Sequence, residues 1–261
     1  MNDPLTVLED GRGRPVATYH ATERRGRPCA DGLATAPGAD DDAVVAAVLE
    51  QFGGWSVATS PQLAERLIAA GATELRRAIL MLHELGPQAP PPALRGAVTI
   101  APYAHASHDV IPALLAAYPP GHLDREAGSS DADERASMER LLGGHVAGPV
   151  MAASRVGLDP DGRVVAAAIV NAEVPEPPFT GPWLGEVFRH PDAAPPGTGA
   201  ALIAAVVAAL REDGERALGL MVTAANPARR VYERLGFDIV RTAVTVLVPG
   251  SAADAARPDG R

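Results

Sequence analysis

Apolar and polar positions in the second half of the chain alternate with period two, then switch to period 3.6, with Gly, Pro and Asp clusters between the runs. Residues 98–100 read as a short strand, and after Ser107-His108-Asp109 a helix follows over 110–118. Asp131–Leu142 has helical period, with Asp131 or Asp133 as its capping residue. Residues 150–156 and 163–172 read as strands joined through Leu158, Asp159, Pro160, Asp161 and Gly162, turn residues that predict an antiparallel hairpin. Trp183–Arg189 is a further strand and runs into a Pro/Gly loop. Thr198–Glu212 is apolar almost all round, so it reads as a helix buried against a sheet. Ala217–Thr223 reads as a buried strand, 227–235 as a helix stopped by Gly236, and 237–248 as a long final strand.

The first half repeats the second in degraded form. GATELRRAILML, starting at Gly71, matches GFDIVRTAVTVL, starting at Gly236. The same offset lays WSVA (from Trp55) on LMVT (from Leu220), and the helical stretch 62–70 on the helix before Gly236. With small gaps, the turn at Asp10-Gly11-Arg12 resembles that at Asp161-Gly162-Arg163. A period of this size implies a duplicated domain. The first copy begins mid-domain and lacks the two leading helices, so it is expected to pack on the second. Gly86-Pro87-Gln88-Ala89-Pro90-Pro91-Pro92 reads as a stiff connector. The expected division is therefore 1–92, 93–249 and a polar tail, 250–261.

Composition narrows the class. With 47% hydrophobic and 21% charged residues, the 261-residue chain is globular. A net charge of −9 argues against nucleic-acid or anionic-membrane partners. Cys29 is the single cysteine, which excludes a disulfide framework, and no His spacing points to a metal. All 23 basic residues are Arg, which removes Schiff-base chemistry and the Walker-A loop. The start of the chain lacks the features of a secretory signal, and no apolar run is long enough to span a bilayer. The expected setting is cytoplasmic.

Two motifs carry chemistry. In VFRHPDAAPPGTGAAL, from Val187, a strand turns through Pro and Gly into a helix start, where bare amides and the helix dipole converge as an anion site. The alternative, a dinucleotide fold, fails: the third glycine is missing and no acidic residue ends the next strand. The second motif runs Asn226, Pro227, Tyr232, Gly236, Phe237, with Asn226 as N-cap and Pro227 at the first helical position. Together they resemble the GNAT superfamily of acyl-CoA N-acyltransferases. Ala194-x-x-Gly197-x-Gly199 is similar to its acyl-CoA loop, and Asn226 to Phe237 to its closing helix. The likeness covers residues 95–248 and, more faintly, 8–85.

The resemblance implies an α/β fold: a mixed, mostly antiparallel sheet flanked by helices, with a smaller degenerate N-terminal lobe. It implies acetyl-CoA as donor, the backbone of Val187, Phe188 and Arg189 along the pantetheine arm, and the amides of Gly197, Thr198, Gly199 and Ala200 at the pyrophosphate. Asn226 would lie along the cofactor, and Tyr232 would be general acid to the leaving thiolate. Amides near Val187 would polarise the acyl carbonyl. The residues themselves add Glu186 as general base, a carboxylate in an apolar strand that alternation places on one face with Leu184 and Phe188. His122 and Asp124, between the two leading helices, are candidate acceptor-binding residues. The acceptor is a small-molecule amine or a peptide N-terminus, and the protein a monomer or homodimer. The loop departs from the family pattern at Ala194, Pro195 and Pro196, which removes a basic residue and two N–H groups. A non-catalytic acyl-CoA-binding or sensing module is therefore the alternative. In the first copy, Asp40, Asp41 and Asp42 occupy the cradle position and Leu67 that of Tyr232, so that copy is expected to be inactive.

Overall fold

The computed structural model describes residues 5–24, 27–86, 97–125, 128–173 and 179–250. In chain order the elements are β1 (Leu5–Glu9), β2 (Pro15–Arg24), β3 (Arg27–Thr35), α1 (Asp41–Gln51), β4 (Ser56–Thr59), α2 (Pro61–Ala69) and β5 (Thr73–Glu84). Then come β6 (Thr99–Pro102), α3 (Ser107–Ala117), α4 (Asp131–Leu142), β7 (Arg155–Leu158), β8 (Val164–Asn171), β9 (Trp183–Arg189), α5 (Thr198–Glu212), β10 (Ala217–Thr223), α6 (Arg229–Arg234) and β11 (Asp238–Leu247). The series β1-β2-β3-α1-β4-α2-β5 recurs as β7-β8-β9-α5-β10-α6-β11, and the second series is preceded by β6, α3 and α4. This is the α/β arrangement expected, with the leading helices missing from the first copy.

The chain forms two compact units: the first is discontinuous in sequence, 1–79 with 241–261, and the second is the single stretch 80–240. The sequence suggested a break at 92/93 instead; residues 87–92 of its connector, and 251–261 of the tail, lie outside the described residues. The first unit holds β1-β2-β3-β4 in that order with β11 from Arg241 onward next to β4, and the second holds β10-β9-β8-β7-β6 with β5 from Leu80 onward; the division falls inside both β5 and β11. Each unit thus includes part of the last strand of the other copy. The first unit buries Leu8, Val16, Val44, Val48, Val57, Leu63 and Leu67 together with Val244, Val246 and Val248 of the chain's end. In the second, α3 and α5 both pack on β8, whose eight residues are all buried. That two-sided burial explains its run of apolar residues without alternation.

The repeat is sharpest at the first hairpin of each copy, though not in the register expected. The N–H groups of Arg12 and Arg14 donate to Asp10 Oδ1 at 2.9 and 3.0 Å. Those of Asp161 and Arg163 donate to Asp159 Oδ1 at 2.9 and 2.8 Å. Asp10 therefore corresponds to Asp159, not to Asp161, because the carboxylate that organises the turn precedes the glycine by three residues. A second correction concerns the strand expected at 150–156. Only Arg155–Leu158 pairs, and Val150 makes one isolated bridge to Asn171. The Ser154 hydroxyl accepts from Val170 N–H at 2.9 Å, and Ser154 N–H donates to Met151 O at 3.0 Å, so a turn replaces the ladder there.

Because Val246 is fully buried in the first unit, Val246→Ala is expected to cost about 2 kcal/mol. In hydrogen exchange the lost protection should appear in α1 and α2; loss confined to 93–240 would contradict the non-contiguous division.

Candidate active site

The site begins with an irregularity in β9. Ile169 pairs with Glu186, but the next residue, Val170, pairs with Leu184, so Gly185 is an extra residue, a β-bulge. A Cβ on Gly185 would stand 2.7 Å from Asn171 Oδ1 and 3.0 Å from Leu141 Cδ1 of α4. Only glycine fits, and Gly185 and Glu186 turn to the same side. Strict alternation is thereby broken: Glu186 shares its face with Phe188 as expected, but Leu184 falls on the other.

Burial is the largest influence on the half-buried Glu186 carboxyl, pushing it from 4.5 to about 7. The Tyr118 hydroxyl, which donates to Oε1 at 2.7 Å, and the Val187 N–H, which donates to the same oxygen at 3.1 Å, pull the other way. The charges of Asp124 and Glu134 also raise it, and about 7 is the net result of all these influences. Tyr118 also lies 3.1 Å from Val187 O. Val187 N–H is thus turned to Glu186 and is not free to polarise a carbonyl, contrary to expectation.

Residues 118–125, which follow α3, bring Tyr118 and Asp124 near this carboxyl. His122 stacks obliquely on Tyr118, ring centroids 4.9 Å apart, and its Nδ1 accepts from Asp124 N–H at 3.2 Å. Asp124 Oδ2 accepts a hydrogen bond from Asn226 Nδ2. Asn226 Oδ1 takes the Ala228 N–H at 2.7 Å, so Asn226 caps a turn, and α6 begins at Arg229, two residues later than expected. Both polar groups of Asn226 are therefore engaged within the chain. Sequence reasoning missed Tyr118 and Arg125. Arg125 is buried and donates to Tyr118 O (3.0 Å), Ser129 O (3.0 Å), Ser129 Oγ (3.3 Å) and Asp131 Oδ1 (2.8 Å). A lone Arg between Asp124 and Glu126 carries no signal that it is a hub.

Tyr232 is buried at 7% exposure against the Phe237 ring. Burial first, then the charges of Glu186 and Asp124, raise its hydroxyl well above the usual phenol range. The structure thus brings Glu186, Asp124, His122, Asn226 and Tyr232 into one neighbourhood.

Beside them β9 and β10 part. They run parallel and pair only at Gly219↔Trp183, so beyond that point the edge of β9 has no strand partner on the β10 side. The loop after β9 is held from within. Arg189 Nη1 donates to Pro191 O (3.0 Å) and Ala194 O (2.9 Å), and His190 Nδ1 accepts from Asp192 and Ala193 N–H at 3.2 and 3.1 Å. Thr198 is buried, with its hydroxyl on Pro195 O at 2.8 Å. Gly197, φ +96°, caps α5 without a side-chain bond. The amides of Gly197, Gly199 and Ala200 have no acceptor among the described residues, and a Cβ on Gly197 or Gly199 would meet nothing within 4 Å. The cradle is open, and these residues fit a diphosphate through backbone donors alone.

Residues 167–246, less than half the chain, match the FR47-like protein family model. No curated protein matches the sequence. Solved structures do. A GCN5-related N-acetyltransferase from Sphaerobacter thermophilus aligns at TM-score 0.64 and 17% identity over 94% of this chain and 81% of its own. A tandem GNAT protein from the clavulanic acid biosynthesis pathway aligns at 0.58 and 16%, over 92% and 80%. A GCN5-related N-acetyltransferase from Kribbella flavida aligns at 0.55 and 19%, over 97% and 92%. The chain has the GNAT fold.

Its first GNAT-like copy contrasts with the second at three of these places. β3 and β4 stay paired at three positions, Cys29↔Ser56, Ala30↔Val57 and Leu33↔Thr59, so no cleft opens. The N-terminus of α1 is filled by its own Asp40, which accepts from Asp42 N–H, with Asp41 and Asp42 in the first turn. Leu67 stands fully buried where the second copy has Tyr232. Among the described residues of the GNAT-fold chain, no three His, Cys, Asp or Glu side chains gather as metal ligands would, and no helix is long and apolar enough to cross a membrane.

The folded state holds the Glu186 proton more tightly than the unfolded chain does, so this group's stabilisation is complete below pH 4.5 and is lost as pH rises through about 7. Glu186→Gln is therefore expected to gain on the order of 3 kcal/mol relative to wild type between pH 5 and 8. Urea unfolding of both proteins at each pH measures the difference.

Proposed function

We propose that the protein is an N-acyltransferase that moves an acetyl group from acetyl-CoA to a primary amine, by direct attack in a ternary complex. The observation that carries this reading is the pairing of a desolvated carboxyl, Glu186, with a buried phenol, Tyr232, beside a parted pair of strands that leads to bare helix amides.

The amides of Gly197, Gly199 and Ala200 would hold the diphosphate, with Thr198 fixing the turn, and the β9 edge at Val187, Phe188 and Arg189 would border the pantetheine arm. Asn226 would flank that arm while tethering Asp124. Acetyl-CoA supplies an activated acyl group as a thioester. An ammonium must lose a proton before it can attack. Glu186, half ionised near neutrality, takes that proton and passes it to solvent; as the free amine then forms the N–C bond, its nitrogen sheds a second proton, again to Glu186. Tyr232 keeps its own proton into the alkaline range and delivers it to the sulfur as the C–S bond breaks; exchange with solvent restores both groups. Asp124 and His122 face the acceptor side. The carboxylates of Asp124 and Glu134 favour a cationic acceptor, a small amine or a peptide N-terminus.

One feature favours the second reading, a non-catalytic acyl-CoA sensor. Pro195 and Pro196 offer no N–H, Ala194 offers no charge, and Arg189 Nη1 is committed to loop carbonyls, so the diphosphate meets few donors. Thiol release from acetyl-CoA across an amine panel separates the two. The enzyme is expected to turn over at least one amine, and Tyr232→Phe to lower kcat about 10²-fold or more while calorimetry shows unchanged acetyl-CoA affinity. Acetyl-CoA binding without turnover by wild type would leave the sensor.

A further inference from the structure

We infer that Tyr118 is the positioning residue of the reaction's proton acceptor, anchoring Glu186 by Oε1 so that Oε2 is the oxygen left to meet the amine. The inference rests on the acyltransferase reading for the purpose of the anchor, but not for its existence.

A glutamate side chain has three rotatable bonds, and a base that samples many rotamers spends little time in reach of its substrate. Here two donors converge on one oxygen: the Tyr118 hydroxyl at 2.7 Å and the Val187 N–H at 3.1 Å. Oε2 has no partner among the described residues. The hydroxyl has a single proton, and the 2.7 Å contact to Oε1 is shorter than the 3.1 Å contact to Val187 O, so the carboxylate is its principal acceptor.

Tyr118 is itself held at several points. Its N–H closes α3 on Leu114 O at 3.0 Å. Its carbonyl accepts from Arg125, whose buried guanidinium also grips Ser129 and Asp131. Its ring lies between Phe188 and His122, at centroid distances of 6.5 and 4.9 Å. The order of support is therefore Arg125, then Tyr118, then Glu186, and it runs from the α3–α4 segment to the bulged strand. A purely structural tyrosine would need only the ring. The hydroxyl, aimed at an ionisable group beside the strand opening, needs a further account.

The bond also favours the ionised carboxyl and so opposes desolvation. The other groups whose fields reach Glu186 are Asp124 and Glu134, with Tyr232 coupled to it from α6; Tyr118→Phe alters none of them.

The test is Tyr118→Phe, read in two ways. In kcat/KM for the amine against pH, the acid limb is expected to move up by about one pH unit, which lowers activity at pH 7 about fivefold through ionisation alone, with a further loss that persists at pH 9 because the ionised carboxylate is no longer held, and with KM for acetyl-CoA unchanged. In protein carrying 13C-labelled glutamate carboxyls, the Glu186 resonance, assigned by its loss in Glu186→Gln, should titrate about one pH unit higher than in wild type. This second measurement needs no turnover. A moved midpoint in a protein that acetylates no amine supports the anchor and sinks the transferase reading; an unmoved midpoint in folded Tyr118→Phe overturns the anchor. If that variant fails to fold, 3-fluorotyrosine at position 118, a stronger donor of nearly the same shape, is expected to lower the midpoint, and no movement there overturns the inference.

Discussion

The Glu186 carboxyl stands on a strand whose neighbours are Trp183, Leu184, Val187 and Phe188, and loss of water around it moves its protonation from 4.5 to about 7. Taking a carboxylate out of water is costly, and it persists where hydrogen bonds offset part of the penalty. The surroundings supply that offset at one oxygen, through Tyr118 and the strand's own amide. Each supplier depends on something else: Tyr118 on the end of α3 and on Arg125, the strand's direction on the bulge at Gly185. Remove the burial and Glu186 becomes an ordinary surface acid; remove the bonds and its protonation persists to higher pH. Both lie away from the protonation that the proposed role of a base near pH 7 requires.

The two copies show how little has to change for one frame to offer a site and the other to lack it. Both have a parallel pair of strands followed by a helix, and both place a glycine of positive φ after the second helix, Gly71 at +107° and Gly236 at +89°. In the first copy the strands remain paired and Asp40 answers its own helix amides. In the second the strands separate after one pair and Gly197 leaves the amides bare. A helix start that caps itself with carboxylates is stabilised by its dipole and, for the same electrostatic reason, repels a phosphate. The capped helix start of the first copy and the bare amides of the second are opposite outcomes of one feature.

Much of this was legible along the chain. Helices such as Asp131–Leu142 and Thr198–Glu212 and strands such as Trp183–Arg189 and Ala217–Thr223 follow from local period and capping, and the structure has them with the same bounds. The internal repeat, the cradle and the two titratable residues Glu186 and Tyr232 were also visible, since each rests on residue type within a short span. The reading slipped where side chains compete with the backbone. Ser154 turns an expected strand into a bend, Asp159 fixes the hairpin two residues earlier than the Asp-Gly pair implied, and Asn226 delays the start of α6.

Local pattern, then, determined the elements, their order and the chemistry available at Glu186, Tyr232 and the Gly197–Gly199 turn, because period, capping and backbone donors are properties of neighbours in sequence. Folding in space decided the rest. The pairing of β11 with β4, the extra residue in β9, and the meeting of Tyr118 with Glu186 all depend on contacts between residues tens of positions apart. Strand pairing is set by register and burial across such distances, and a one-residue slip in β9 would send Glu186 to the opposite face, a choice that no short stretch of sequence encodes.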